Sequence, residues 1–560
     1  MFHLLPAILR DHFPAAHTGV SVRRLSSGVE GECVHRNLWL VVTVGFVVAV
    51  VAVVAAAMVV PGEPERPGDG CPPRDTRVTA PYAITGYWVI PRADRCVTRR
   101  MVEAIHATGG DTLITFGPRF SASPDPDGFT ACRVDGVPCQ EVPGIQVRHV
   151  YTYVTSEQFG KGMLRCPGID RRVVSGERIF YRLTLAESCA DPVHDLVLVS
   201  TDGDGIGVLM AEASAYGMTV FPGLPAAPQR VGKPWEPDLG HVDALNAFTA
   251  RVLADYRQRF AARSAFGGVY QSFELAMRAR SDRDPVIALY AAQHEVVAAA
   301  LPGKKIVVSP YIDGRRGRGF PPEQVEEGLA DIAGTRAGLP MAVAVQDGRG
   351  TGKVPVHGEH EGAVAVAARL VPVVGQVTNE QGYYGSTRDF MVAAARRVPD
   401  GVELWANIEG FEPTPAAGEC GRVDPLPLRG RTTKARLDQQ VMAVAPHSTK
   451  IISYGWDPFF TCQDGPGGPS LADVIAQGWQ QPIVVSAHPK ELNGRAGVQV
   501  EGYNLKGGTL RFGQTEVAQE WYAPGRLESA WAPYPPTGSP TAITATNGAG
   551  FTSTSPYVLQ

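Results

Sequence analysis

The stretches GGVYQSFEL (residues 267–275) and VELWANIEGF (residues 402–411) are short apolar runs that each carry a glutamate near the end, Glu274 and Glu409. They belong to a series of apolar runs separated by amphipathic helical stretches. The other runs are ITGYWVI (84–90), DTLITFG (111–117), MTVFPGL (218–224), KIVVSPYI (305–312), MAVAVQD (341–347) and KIISYGW (450–456). Alternating strands and helices form parallel sheets, so eight units over about 380 residues predict an α/β fold, a (β/α)8 TIM barrel. A doubly wound open sheet is the alternative.

Composition limits the class of protein. The chain has 560 residues, a formal net charge of −4 and 44% hydrophobic residues. These values are typical of globular proteins and carry no bulk basic charge for nucleic acid. The length allows one large domain and one small domain.

One segment is too apolar for a globular domain. Residues 38–60, LWLVVTVGFVVAVVAVVAAAMVV, contain no charged side chain and at about 1.5 Å per residue can cross a hydrocarbon core of roughly 30 Å. The flanking charges are Arg10, Arg23, Arg24 and Arg36 before the segment and Glu63, Glu65 and Asp69 after it. The positive-inside rule therefore predicts a single-pass cell-membrane protein with a signal anchor, a cytoplasmic tail at 1–37 and all later residues outside. A cleaved signal peptide is the alternative.

Cysteine usage agrees with an external location. Eight cysteines follow the apolar segment, and an even number in an oxidising compartment predicts disulfides. The predicted pairs are Cys71 with Cys96, Cys132 with Cys139, Cys166 with Cys189, and Cys420 with Cys462. No spacing typical of a zinc site occurs, so no metal is expected.

The external part divides into three regions. Residues 61–80 are rich in proline, glycine and charge and predict a linker. Residues 81–478 contain the eight units, with an insertion at about 118–200 that carries four cysteines and is a candidate substrate-binding cap. Residues 481–560 change to short alternating runs, which are typical of a small β-sandwich.

Polar and aromatic side chains gather near the strand ends. The carboxyl ends of barrel strands meet at one mouth, and successive strand residues point to opposite faces. Glu274 and Glu409 are the predicted catalytic pair. The predicted substrate-binding residues are Tyr87, Trp88, Tyr270, Ser272, Tyr311, Asp313, Asp347, Trp405, Asn407, Tyr454 and Trp456; Asp313, Asp347 and Glu412 are reserve catalytic candidates. Rings that stack on sugars beside groups that bind hydroxyls indicate a carbohydrate site.

The motifs ITGYWVI, GVYQSFEL and WANIEGFE resemble the DUF4434 family of glycoside-hydrolase-like TIM barrels, over about residues 81–478. The wider resemblance is to retaining glycosidases. It implies that Glu274 is the acid/base, that Glu409 is the nucleophile and that Trp456 forms the floor of a sugar subsite. Phe273 departs from that pattern, because the residue before the acid/base is usually asparagine.

The function predicted from these features is a membrane-anchored glycoside hydrolase of envelope or extracellular polysaccharide. Paired carboxyls suit this reaction because one must be protonated and the other ionised. The mechanism requires water and no cofactor. The alternative is a non-catalytic carbohydrate-binding or scaffold protein that keeps the barrel.

The final region resembles an IPT/TIG immunoglobulin-like domain, through IVVSAHP, EGYNL, TLRFG and NGAGFTS. The resemblance implies a fold and leaves open whether the domain binds carbohydrate or packs on its neighbour.

Two further motifs are assigned no function. GRGTGKV (348–354) differs from a phosphate-binding loop in its spacing and in lacking a hydroxyl residue after Lys353. His357, Glu359 and His360 are interpreted as a solvated loop in place of a metal site.

Overall fold

The computed structural model describes residues 70–122, 127–413, 429–463, 467–535 and 540–559. Its largest sheet contains all eight predicted strands, each ending earlier than predicted because the last residues of each run lie in the loop that follows. They are β1 (Gly86–Val89), β2 (Thr112–Thr115), β3 (Thr219–Phe221), β4 (Gly268–Gln271), β5 (Lys305–Val308), β6 (Met341–Gln346), β7 (Val402–Ile408) and β8 (Lys450–Ser453).

The strands close into a barrel. Their order is β3-β2-β1-β8-β7-β6-β5-β4, and all of these pairings are parallel. The two end strands also meet, because Val220 N–H donates to the Ala265 carbonyl at 2.7 Å and Tyr270 N–H donates to the Pro222 carbonyl at 2.9 Å. The barrel prediction is confirmed, and the open sheet is excluded.

A helix follows each strand and packs outside the barrel. The helices are α1 (Arg95–Ala107), α2 (Gly205–Ala215), α3 (Val242–Phe260), α4 (Pro285–Ala300), α5 (Gln324–Gly334), α6 (Thr387–Ala395), α7 (Lys434–Val444) and α8 (Leu471–Gly478). Side-chain caps fix several starts: Asp94 accepts from Val97 N–H before α1, and Ser386 accepts from Asp389 N–H before α6. Such caps satisfy backbone donors that the helix leaves free.

Two hydrophobic layers flank the strands. The inner layer fills the barrel and includes Trp88, Tyr270 and Trp405. The outer layer lies between strands and helices and includes Tyr87 and Val89. Alternation along β1 thus sends Trp88 inward and its neighbours outward.

The insertion lies between β2 and α2 and has its own five-stranded sheet. In spatial order its strands are Phe120–Ser121, Gln146–Thr155, Val193–Thr201, Arg178–Thr184 and Arg171–Ser175. A small hairpin pairs Arg133–Val134 with Val137–Pro138. The insertion is therefore a folded layer and not a long loop.

Two of the predicted disulfides are confirmed, Cys132 with Cys139 and Cys166 with Cys189. Cys71, Cys96 and Cys462 are also disulfide-bonded. Cys420 lies outside the described residues, so its predicted bond with Cys462 stays a prediction.

The C-terminal region consists of two four-stranded antiparallel sheets. One contains Ile483–Leu492, Arg495–Tyr503, Glu528–Ala532 and Trp521–Ala523; the other contains Thr515–Ala518, Thr509–Phe512, Thr541–Thr546 and Tyr557–Leu559. Apolar residues of both, such as Val498 and Leu510, form one core. The predicted β-strand composition is confirmed, and IPT/TIG membership stays a prediction.

The predicted cytoplasmic tail and membrane span, at 1–37 and 38–60, lie outside the described residues. Within the residues that the structure describes, no helix combines the length and apolar composition needed to span a bilayer.

Candidate active site

Glu274 and Glu409 both follow barrel strands at the carboxyl-terminal mouth. Glu409 comes directly after β7, and Glu274 is three residues past the end of β4. Glu409 is only 2% exposed, whereas Glu274 is half-buried. The mouth of a barrel is where the loops that carry chemistry converge.

A loop after β6 holds the carboxyl group of Glu409. Thr351 donates its backbone N–H to Oε2 at 2.6 Å and its hydroxyl to Oε1 at 3.3 Å. A Cβ on Gly350 would lie 2.7 Å from the Phe411 ring and 2.8 Å from Glu409 Cβ. Only glycine lets the loop come this close. GRGTGKV is thus not a phosphate loop here; it encloses a carboxylate.

Asp347 orients the backbone of Glu409. Its Oδ1 accepts from Glu409 N–H at 3.1 Å, and its Oδ2 accepts from Gln440 Nε2 at 2.6 Å. Gln440 also donates to the Glu409 carbonyl at 3.1 Å. Burial, followed by the negative charge of Glu409, raises the pKa of Asp347 to about 7. Asp347 therefore holds the backbone of Glu409 in place.

Glu274 receives its hydrogen bond from the residue next to Asp347. Gln346 Nε2 donates to Glu274 Oε1 at 3.1 Å and to the Ser309 carbonyl at 2.9 Å. Two consecutive residues at the end of β6 thus contact the two glutamates, one each.

The surroundings of the two carboxyls differ. Burial raises the pKa of Glu274, against which the positive charge of Lys353 and the Gln346 hydrogen bond act. Burial also raises the pKa of Glu409, but Lys353, Thr351 and Arg429 all act in the opposite direction. The charge of Glu409 further raises the pKa of Glu274. More groups favour the ionised form at Glu409 than at Glu274.

Two of the three reserve carboxylates, Asp313 and Glu412, are engaged in ion pairs. Asp313 accepts from Arg315 through both oxygens, at 2.9 and 2.6 Å. Glu412 lies 2.9 Å from Arg349 and accepts from the Thr432 hydroxyl at 3.2 Å. A carboxylate held in such bonds is better suited to fixing a loop in place than to catalysis.

Two buried polar atoms, on Asn407 and Trp88, lack hydrogen-bond partners within the described part of the chain. Asn407 donates from Nδ2 to Ser309 Oγ at 3.0 Å, but its Oδ1 and the Trp88 indole N–H have no hydrogen-bond partner among the described residues. Leaving a buried polar group unpaired costs about 1–3 kcal/mol. A buried water molecule can supply such a bond.

Aromatic rings surround these groups. Tyr270 and Tyr454 lie with their ring centroids 4.4 and 6.3 Å from that of Trp88. Tyr311 and Tyr454 are half-buried. Ser272 donates to the Leu224 carbonyl at 2.6 Å, which joins the β4 loop to the β3 loop.

Three predicted binding residues are placed elsewhere. Tyr87 faces the outer layer, where its ring lies 4.8 Å from Trp456, which is itself 2% exposed. Trp405 lies beside Lys305 and Lys450, which begin β5 and β8. At about 3.3 Å per residue this puts Trp405 some 13 Å before Glu409 along β7. The predicted roles of these three rings have no support from their placement.

Several residues at the site were not predicted. They are Gln346, Thr351, Lys353, Arg429 and Gln440. Lys353, Thr351 and Arg429 lie in loops, where no periodicity indicates which way a side chain points. The glycine-rich run around Lys353 was the one available signal.

Among the described residues, no group of three or more His, Cys, Asp or Glu side chains is arranged to hold a metal ion. His357 instead sits near Asp389 and Glu361, and burial lowers the pKa of its ring.

The model of the family described as "Domain of unknown function (DUF4434)" matches residues 192–466, and that of "Domain of unknown function (DUF8405)" matches residues 129–201. The DUF4434 resemblance is confirmed over that range, which begins after β2. The DUF8405 range coincides with most of the insertion. No curated protein matches the chain.

Solved structures that match this chain include glycoside hydrolases. A protein provisionally named an alpha-L-fucosidase, from Bacteroides thetaiotaomicron, has 16% identity and a TM-score of 0.40, covering 74% of this chain and 97% of its own. A glycoside hydrolase has 11% identity and a TM-score of 0.37, covering 81% and 92%. An intracellular xylanase from Thermoanaerobacterium saccharolyticum has 11% identity and a TM-score of 0.34, covering 70% and 95%.

Proposed function

We propose that the protein is a glycoside hydrolase in which Glu274 is the general acid/base and Glu409 is the nucleophile. The proposal depends on one observation. Two carboxyl groups at one barrel mouth receive different numbers of hydrogen bonds. Glu409 receives two hydrogen bonds from Thr351, whereas Glu274 receives one from the neutral amide of Gln346. Two carboxyls in unlike environments can divide the roles of acid and nucleophile between them.

The mechanism is double displacement with retention. Glu409 attacks the anomeric carbon, forming a carbon–oxygen bond as the glycosidic bond breaks, while Glu274 gives its proton to the leaving oxygen. Water then attacks the same carbon and gives a proton to Glu274. The bond to Glu409 breaks, and its carboxylate is regenerated.

The substrate class is carbohydrate, in keeping with the aromatic rings at this mouth of the barrel. Tyr311 and Tyr454 offer half-buried faces. Sugars present hydroxyls and apolar ring faces together, so they suit such a lining.

The proposal places the barrel outside the cell, on a single-pass anchor at residues 38–60, with an envelope or extracellular polysaccharide as substrate. The disulfides of the insertion support an oxidising compartment, since such bonds are rare in the cytosol. Protease protection of the C-terminal region in intact cells would contradict this location.

The test is release of reducing sugar by the full chain, purified in detergent, from arabinans, galactans, mannans, glucans and chitin. We expect release from at least one polymer, falling at least a hundredfold in both Glu274→Gln and Glu409→Gln. The matched control is Glu403→Gln, a glutamate at the opposite end of β7 that pairs with Lys305; it should keep activity. Proton NMR of the first product should show the substrate's anomeric configuration.

Binding without hydrolysis is the second candidate, and Lys353 is the observation in its favour. Its positive charge opposes protonation of both glutamates, and a site with two ionised carboxylates has no acid. Glycan binding that survives both glutamine substitutions, with no release from any polymer, would replace the hydrolase proposal with this one.

A further inference from the structure

Lys353 is fixed at its backbone on two sides. Its N–H donates to the Gly348 carbonyl at 2.9 Å, and its own carbonyl accepts from Gly314 N–H at 3.0 Å. Gly348 and Gly352 have φ values of +70° and +69°, a region that favours glycine. The loop after β6 is thereby tied to the loop after β5.

The side chain of Lys353 lies over the ring of Tyr311, in the loop after β5. Its Nζ lies 3.6 Å from the centroid of the Tyr311 ring. The N–H of Tyr311 donates to the carbonyl of Leu275, the residue after Glu274. On the other side, Thr351 in the same loop binds the Glu409 carboxyl. Tyr311 thus connects the ammonium to the loop of Glu274, and Thr351 connects the loop of Lys353 to Glu409.

The charged groups that act on Lys353 come from three other loops, those after β4, β5 and β7. Glu409, Glu274 and Asp313 attract its charge, and Arg315 repels it; burial lowers the pKa of Lys353, and the three carboxylates oppose that effect. Asp313 is already paired with Arg315 through both oxygens. The two glutamates are thus the remaining carboxylates for the ammonium.

We propose that Lys353 is a positioning residue whose ammonium is the fixed counter-charge for one carboxylate that alternates between Glu409 and Glu274 during the reaction. This inference rests on the proposed hydrolase function. In the first step Glu409 is ionised and Glu274 holds the proton. In the glycosyl-enzyme Glu409 is an uncharged ester, and Glu274 has lost its proton to the leaving group. One negative charge faces Lys353 throughout, so the cation need not move.

The consequence is that removal of the charge weakens both steps. An opposite charge within about 4–6 Å lowers a carboxyl pKa by roughly 1–3 units. Without Lys353, the charge of Arg429 and the Thr351 hydrogen bonds still act on Glu409. Glu274 would keep Gln346 alone as a donor, beside the buried tyrosines Tyr270 and Tyr290 and the half-buried Tyr454.

The experiment compares Lys353→Met, which keeps the aliphatic stem over Tyr311, with Lys353→Arg, which keeps the charge. The control is Lys506→Met, an exposed lysine of the C-terminal region. For Lys353→Met we expect the acidic limb of kcat/KM to move up by about one pH unit, with at least a tenfold loss below it. Lys353→Arg should restore most of the activity and most of the position of the acidic limb. Lys506→Met should match the unsubstituted protein.

A second measurement needs no turnover. Carbon-13 NMR of glutamate carboxyls, assigned with Glu409→Gln and Glu274→Gln, follows their titration in each variant. The Glu409 titration should move to higher pH in Lys353→Met. An unchanged titration and an unchanged pH profile in a folded Lys353→Met protein would overturn the proposal. If no polymer is hydrolysed by the unsubstituted protein, the hydrolase proposal fails, and the NMR titration still decides whether Lys353 sets the charge of Glu409.

Discussion

Thr351 donates its backbone N–H to Glu409 Oε2 over 2.6 Å and its hydroxyl to Oε1 over 3.3 Å, so one residue meets both oxygens of a carboxyl that is 2% exposed. Hydrogen bonds to the ionised form favour that form. The loop that supplies these hydrogen bonds packs against Phe411. It can do so because Gly350 has no Cβ to meet the ring.

Gly350→Ala should therefore reduce activity without unfolding the protein. The new Cβ would meet the Phe411 ring at 2.7 Å and Glu409 Cβ at 2.8 Å, and displacement of a catalytic group by about 1 Å costs on the order of a hundredfold. The measurement is kcat on whichever polymer is hydrolysed, beside a thermal melt.

The control is Gly334→Ala, at the last residue of α5, where a Cβ meets nothing within 4 Å. Alanine there should leave kcat unchanged and raise stability by up to about 1 kcal/mol. Equal activities for the two alanine variants would show that the loop tolerates the shift.

Buried carboxyls should make the protein less stable as pH rises. Burial raises the pKa of Glu157 from 4.5 to about 7, although Tyr256 donates to its Oε2 at 2.8 Å. The folded protein then keeps a proton that the unfolded chain has lost. The free energy of unfolding should fall by about 3 kcal/mol per such group between pH 4.5 and 7 and level off above it.

Asp347 should change the free energy of unfolding in the same direction, because its pKa is raised to about 7, mainly by burial. Glu157→Gln should remove the Glu157 part of this pH dependence in urea denaturation series and leave the Asp347 part. A slope identical to that of the unsubstituted protein would mean that Glu157 ionises normally in the folded state.

The two disulfides of the insertion should differ in their effect on stability. Cys132–Cys139 closes a loop of 7 residues and Cys166–Cys189 one of 23. In the chain-entropy model these loops contribute about 2 and about 3 kcal/mol. Serine pairs at each bridge, compared by denaturation under identical buffer, should differ by roughly 1 kcal/mol, with the longer loop losing more.

The junction between barrel and C-terminal region depends on Asp438, which is 1% exposed. It accepts from Tyr82 at 2.6 Å, from Lys434 at 2.8 Å and from Thr554 at 2.5 Å. Asp438→Ala leaves the buried Lys434 ammonium without its carboxylate and should cost about 3–5 kcal/mol.

Thr554→Val removes only the hydrogen bond from the C-terminal region to Asp438 and should cost about 1.5–3 kcal/mol. Both values come from denaturation midpoints at pH 7. If Asp438→Ala proved no more destabilising than Thr554→Val, the Lys434 pair would not matter to the fold.

The barrel was predictable from the sequence because its strands are dense apolar runs, such as KIVV and MAVAV, whose length and separation are visible without contacts. The glutamates were predictable for the same reason, since each lies near a strand end. Side-chain direction was predictable only within strands: Trp88 and Tyr87 alternate, but both had been assigned to the site. Lys353 lies seven residues past β6. The placement of its side chain depends on two glycines and on a neighbouring loop, which come together only in the folded chain.

Gln346 and Asp347 are neighbours in the chain, and one contacts Glu274 while the other contacts Glu409. Because both contacts come from one strand end, a displacement of the end of β6 moves the partners of both carboxyls together. The end of β6 is thus a mechanical link between the two carboxyl groups.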